Sequence, residues 1–170
     1  LGEDEPFAVV LMDLDFDAID LLYVPLIEDL FAPCYIDSSI LHHDDPIRIK
    51  GGEVEVVDPL GRKLTIPRVV NIYRYEGALG EVDVVAVTRK GAVAVEAYFG
   101  EKCPPEKLDQ LERSMAITEK IEGKVLAGIL ASYFGFKEET LRKAEGKEGV
   151  FLLAERELNR MAVKAGYRPM

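Results

Sequence analysis

Two carboxylates face each other across a predicted β-hairpin, an arrangement that could hold a metal ion. The segments G-E-V-D-V-V-A-V (80–87) and A-V-A-V-E-A-Y (92–98) are β-branched runs joined by the turn T-R-K-G. If the turn is centred on its two middle residues, Asp83 lies directly opposite Glu96, and a shift of two residues keeps both on one face. Two like charges on apolar strands are costly to bury, and a divalent cation such as Mg²⁺ or Mn²⁺ compensates them through oxygen ligands.

Strand alternation predicts which groups surround this pair. Glu81 and Tyr98 are expected on the same face. The opposite face is expected to carry four valines: Val82, Val84, Val93 and Val95. The alternative interpretation is a solvent-facing strand surface near a sheet edge, where acidic side chains need no ion.

The pattern after the hairpin predicts the elements that hold it. They alternate between helix and strand: helices at about 105–121, 137–145 and 155–165, and strands at 124–131 and 149–154. Such alternation implies crossover connections and parallel pairing. The predicted fold class is therefore α/β, a mixed β-sheet flanked by helices, with the strands of the hairpin central and antiparallel.

The first part of the chain divides into two predicted regions. Residues 53–57 and 64–75 look extended, and the intervening D-P-L-G favours a hairpin turn with Pro at its second position. Residues 32–52 are rich in Pro, Gly and Ser and mark a boundary. We therefore predict an acidic N-terminal segment, 1–52, that packs on an α/β core, 53–170, through its apolar residues.

The hairpin resembles the core of the PD-(D/E)XK nuclease superfamily, which has a restriction-endonuclease-like fold. In that family one strand carries an Asp and the next carries Glu-x-Lys, and the spacing of Asp83 and Glu96 matches this layout. The order of elements and a last helix ending in A-G-Y-R-P extend the resemblance over about 70–168, to a group of archaeal and bacterial proteins of that superfamily. The resemblance implies Mg²⁺- or Mn²⁺-dependent hydrolysis of phosphodiester bonds.

The resemblance also implies roles for individual residues. Asp83 and Glu96 would bind the metal, and the backbone carbonyl of Ala97 would be a further ligand. A carboxylate of the N-terminal segment, Glu28, is the predicted additional ligand. Gln110 resembles the polar residue that some members use near the scissile phosphate.

The chain departs from the family at one position, because Tyr98 stands where the motif Lys belongs. Tyrosine donates one hydrogen bond but is neutral near pH 7. Lys102, just past the strand end, is the preferred source of the missing charge, ahead of Lys90 in the turn. Two hypotheses follow: a degenerate or non-catalytic nuclease fold that serves in binding or assembly, or a metal-dependent nuclease. The missing Lys favours the first, and the retained acids favour the second.

A second motif suggests different chemistry. The segment V-V-L-M-D-L-D-F-D (9–17) resembles the opening of haloacid dehalogenase-like phosphatases, in which Asp13 would be the nucleophile and Asp15 the acid/base. The later acidic pair of those enzymes has no counterpart here, and an acidic helix start is the alternative. Glycine-rich phosphate loops and the nucleophile-elbow motif are also absent from the sequence.

Charge is distributed unevenly along the chain. The net charge is −10, yet residues 1–45 hold twelve acids and no Lys or Arg, which leaves the remainder at +2. The chain lacks the basic surface that grips phosphates, so at most weak DNA binding is predicted. A homodimer or an unidentified protein partner stays open. No run of 18 apolar residues exists, so the prediction is no membrane span and a cytoplasmic location.

Composition adds three expectations. One Gln and two Asn among abundant charged residues are typical of a thermophile. Cys34 and Cys103 are therefore either unpaired thiols or a disulfide, and a zinc site with the adjacent histidines 42 and 43 lacks finger-like spacing. The first residue is Leu1 rather than Met, as expected of a fragment of a longer protein.

Overall fold

The structure, a computed structural model, describes residues 53–164 of the 170-residue chain. The predicted N-terminal segment and its packing on the core lie outside the described residues. So do several residues singled out above: Asp13, Asp15, Glu28, Cys34, His42 and His43. No helix within 53–164 is long and apolar enough to cross a membrane.

A small antiparallel hairpin comes first. Its strands are β1 (Val54–Val57) and β2 (Lys63–Ile66), which form a two-stranded sheet. The predicted turn is confirmed: the Asp58 carboxylate accepts hydrogen bonds from the backbone N–H groups of Leu60, at 3.1 Å, and Arg62, at 2.9 Å. The extended run predicted over 64–75 is wrong in one respect, because the chain leaves β2 at Pro67, which has no N–H for a ladder.

The second sheet has five strands in the order β3-β4-β5-β6-β7. Their bounds are β3 (Val69–Gly77), β4 (Gly80–Thr88), β5 (Gly91–Tyr98), β6 (Val125–Ser132) and β7 (Val150–Leu153). The first three are antiparallel, whereas β5, β6 and β7 run parallel. The register of β4 on β5 is the predicted one, since Val84 pairs with Val95 and Thr88 with Gly91.

Within residues 53–164, three helices cover the two faces of this sheet. They are α1 (Glu106–Glu122), α2 (Glu138–Glu145) and α3 (Glu155–Lys164). Helix α1 packs on β4, β5 and β6, and its Leu108 and Leu111 are fully buried. Leu158 of α3 belongs to the opposite core, with Val93 and Val95. The predicted α/β fold with a mixed, helix-flanked sheet is confirmed.

A bulge in β4 changes the face of the sheet on which one predicted residue, Val82, lies. Tyr73 pairs with Val85 and Tyr75 with Val82, so β4 has one more residue than β3 across this interval. Val82 consequently packs with Val85 beneath α1 rather than with Val84. The prediction for Val84, Val93 and Val95 is confirmed, whereas the prediction for Val82 is wrong because of this extra residue, which lies next to Asp83.

A buried ion pair fastens the small hairpin to the main unit. The Arg62 guanidinium contacts Asp58 at 2.9 Å and donates to the backbone oxygens of Ala144, at 2.9 Å, and Lys147, at 3.2 Å. It also lies 5.5 Å from the centroid of the Phe151 ring. The Asp58 carboxylate is buried and faces the Leu152 N–H at 3.4 Å. Both charges are therefore compensated by several groups at once.

We expect Asp58→Ala to lower the free energy of unfolding by about 3 kcal/mol, because it leaves the Arg62 guanidinium without its anion and the turn amides without an acceptor. Denaturant titration measures the loss. Glu138→Ala, which removes an exposed ion pair with Arg142, is the control and should cost under about 1 kcal/mol. Equal losses in the two variants would contradict this role for Asp58.

Candidate functional site

The structure brings Asp83 and Glu96 together at the point where β4 and β5 part. Glu96 is only 4 % exposed, whereas Asp83 is half-buried. The Asp83 Oδ2 atom accepts a hydrogen bond from the Ala97 N–H at 2.9 Å, and the two carboxyl groups lie within hydrogen-bonding range of each other. Two acidic groups from adjacent strands therefore share one small volume.

Burial and like charge act together on Glu96. Desolvation, followed by the hydrogen bond and negative charge of Asp83, raises the pKa of Glu96 to about 8. The Ser114 hydroxyl opposes this shift by donating to the carboxylate. Near pH 7 and without a cation, Glu96 is therefore protonated and can share its proton with Asp83.

Three polar residues on one face of helix α1 form a stripe that packs over Glu96. Lys107, Gln110 and Ser114 are three and four residues apart, a spacing that places them on one helix face. The Ser114 hydroxyl donates to Glu96 Oε1, and the Gln110 amide nitrogen lies 3.5 Å from Glu96 Oε2. Lys107 Nζ donates to Gln110 Oε1 at 3.2 Å. The stripe thus fixes both oxygens of Glu96 and ends in an ammonium group.

Tyr98 and Lys107 meet at the motif position. The Lys107 ammonium lies 5.4 Å from the centroid of the Tyr98 ring, within the range of a cation–π contact. Tyr98 itself is half-buried at the end of β5. A positive charge is therefore present beside the aromatic residue, although it comes from the helix and not from the strand.

The predicted neighbours Lys102 and Glu81 are both exposed. The ammonium group that lies beside the Tyr98 ring is that of Lys107 in helix α1. Glu81 is exposed and pairs with Glu76 on β3. Because the bulge turns Val82 beneath α1, strand alternation turns Glu81 away from Glu96. Lys107 and Ser114 were missed, although their spacing from Gln110 along the helix was a readable signal.

The donor atoms present suit a hard divalent cation. Carboxylate oxygens and the Ala97 carbonyl are the ligand types that Mg²⁺ and Mn²⁺ prefer. Among the side chains that the structure describes up to residue 160, no Lys or Arg forms an ion pair with Asp83 or Glu96. The same residues contain no group of three or more His, Cys, Asp or Glu side chains that could hold a metal. A metal here would therefore also use backbone oxygen or water.

Comparisons with known proteins do not extend this picture. No protein-family model matches the chain, and no curated protein matches it. The crystal structure of AF1548, a protein of unknown function, aligns with a TM-score of 0.42 and 17 % sequence identity, over 68 % of this chain and 56 % of that one. The chain thus spans little more than half the length of that protein.

We expect Glu96→Gln to remove a pH-dependent loss of stability. A carboxyl whose pKa rises from 4.5 to about 8 on folding stabilises the folded state at low pH, and this contribution is lost as pH rises from about 4.5 through 8. At about 1.4 kcal/mol per pKa unit, the parent loses up to a few kcal/mol across that window. Melting temperature measured against pH in EDTA should therefore fall less steeply in the variant.

Glu81→Gln is the matched control, because it neutralises an exposed carboxylate on the adjacent strand β4. Its pH profile should follow that of the parent. If Glu96→Gln also follows the parent from pH 4.5 to 8, Glu96 does not titrate as a buried neighbour of Asp83.

Proposed function

We propose that the protein is a divalent-cation-dependent nuclease of the PD-(D/E)XK type, with Asp83 and Glu96 as its metal ligands. The observation that carries the proposal is a buried glutamate beside an aspartate, with no Lys or Arg paired to either among the described side chains up to residue 160. The pair can relieve its repulsion either by keeping a proton or by binding a cation that lets both carboxylates ionise. In the nuclease core that the hairpin resembles, the compensating cation is Mg²⁺ or Mn²⁺.

Each residue of the site would have a defined role in the reaction. Asp83 and Glu96 would hold the cation, which supplies activation of water and polarisation of a phosphate oxygen. Ser114 and Gln110 fix the two oxygens of Glu96, so that the carboxylate needs little reorganisation. Lys107 would face the developing negative charge on the phosphate, the task that the motif Lys performs in the family.

A second candidate is a nuclease fold that binds or assembles without catalysis. Tyr98 at the motif position favours it, and so does the engagement of the Lys107 ammonium by Gln110 and the Tyr98 ring. A lysine held in this way reaches a phosphate only by leaving those partners. Metal binding is common to both candidates, whereas cleavage belongs to the first alone.

The metal site is tested by thermal shift with Mn²⁺ and Mg²⁺. A ligand that binds only the folded state raises the melting temperature as its concentration rises. We expect the parent and Glu81→Gln to respond to Mn²⁺, and Asp83→Asn and Glu96→Gln to lose most of the response. A parent protein that shows no concentration-dependent shift would contradict the metal site.

Catalysis is tested with single- and double-stranded DNA in the presence of Mn²⁺. Lys107→Met should lower the cleavage rate by about 100-fold, the usual cost of removing one charge-stabilising donor, with Mn²⁺ affinity unchanged. Lys102→Met, the exposed control, should keep the parent rate. Tyr98→Lys should raise the cleavage rate, because the positive charge then lies on β5, at the position of the motif Lys.

The outcomes separate the two candidates. Cleavage that persists at the parent rate in Glu96→Gln would come from another site or from a contaminant and would overturn the nuclease assignment. Mn²⁺ binding at Asp83 and Glu96 with no cleavage by the parent would favour the non-catalytic candidate.

A further inference from the structure

The carboxyl ends of β6 and β7 open onto a cavity of about 430 Å³. Aromatic residues that follow β6 form one wall, and the first turns of α3 form the other. Glu96 lies near the carboxyl end of the adjacent strand β5, so the cavity and the proposed metal site occupy the same end of the sheet. Glu96 faces α1, whereas the cavity lies beside α3, which packs on the opposite face.

The aromatic wall is a cluster of three rings with one exposed member. Phe134 packs edge-to-face on Phe99 and on Tyr133, with 5.2 Å between ring centroids in both pairs. Even so, Phe134 is 52 % exposed, the largest such fraction among the large hydrophobic residues of the described chain. Phe99 and Tyr133 pack in the core on the α3 side of the sheet, whereas Tyr98 packs in the core on the α1 side.

The opposite wall supplies polar groups. Arg156 is exposed in the first turn of α3, and Glu155 and Asn159 line the same cavity. The Tyr133 hydroxyl lies within hydrogen-bonding range of Glu155 and Asn159. A ring that enters the cavity would therefore meet an aromatic surface on one side and a guanidinium and an amide at its edge.

We propose that this cavity binds a nucleobase of an unpaired strand, stacked against Phe134, with Arg156 reaching the adjoining phosphate. The inference rests on the proposed function and names its substrate class: single-stranded nucleic acid, or the unpaired part of a larger one. Base stacking on aromatic side chains supports binding without sequence preference. In a duplex the bases are already stacked and paired, and this surface cannot reach their faces.

The charge of the protein favours the same substrate. With a net charge of −10, the chain has little capacity to grip a duplex through its phosphates. A site that uses the face of a base needs few phosphate contacts. Binding by stacking should therefore depend only weakly on salt, whereas binding through many phosphates falls steeply as salt rises.

Fluorescence anisotropy of a labelled oligothymidylate, with the full chain in EDTA, tests the site apart from metal and cleavage. We expect the single strand to bind more tightly than a duplex of equal length, with a shallow dependence on salt. Phe134→Ala should weaken binding by at least about fivefold, and Phe134→Tyr should retain it because it keeps the aromatic face. Leu79→Ala, which truncates another exposed hydrophobic residue at the β3–β4 turn, should bind like the parent.

Two results would overturn the inference: equal binding of single strand and duplex, or unchanged binding by Phe134→Ala. Its failure is distinguishable from that of the proposed function. If the single-strand preference is absent but Mn²⁺ still raises the melting temperature, the nucleobase site is contradicted and the metal site is supported. If the single strand binds through Phe134 but Mn²⁺ has no effect on the melting temperature, the metal site is contradicted and the nucleobase site is supported.

Discussion

The repulsion between Asp83 and Glu96 is the constraint on which the candidate site depends. Two acids from adjacent strands share a volume in which one is almost wholly buried. Without a cation the pair must keep a proton, and with one it can ionise fully. In the proposed site, metal binding would therefore displace a proton, and this one interaction would link protonation, stability and chemistry.

The surrounding architecture fits this constraint. The bulge in β4 interrupts regular pairing beside Asp83, and the Ala97 N–H can then donate to the Asp83 carboxylate. Helix α1 contributes Ser114 and Gln110, which hold the Glu96 oxygens, and Lys107, which brings a positive charge to Tyr98. In the proposed nuclease, this helix-borne charge would take the place of the motif Lys. The exposed aromatic cluster at the same end of the sheet would then hold nucleic acid by its bases.

Much of this could be predicted from sequence because local pattern determines it. Valine density and the four-residue turn predict the β4–β5 register, which places Asp83 near Glu96. The bulge could not be foreseen, because it arises from the pairing of β4 with β3, and it reverses the sides of Glu81 and Val82. Sequence spacing along β5 points only to lysines near the strand end and not to Lys107. Its place depends on how α1 packs across the sheet, a tertiary fact that only the helical spacing from Gln110 hints at.

Proton release on metal binding tests the central claim most directly. Calorimetric titration with Mn²⁺ in buffers of different ionisation enthalpy counts the protons displaced per ion bound. Because the pKa of Glu96 is raised to about 8, binding near pH 7 should release close to one proton, and the release should vanish well above pH 8. Binding without proton release near pH 7, or the same release from Glu96→Gln, would contradict a metal ion held by Asp83 and Glu96.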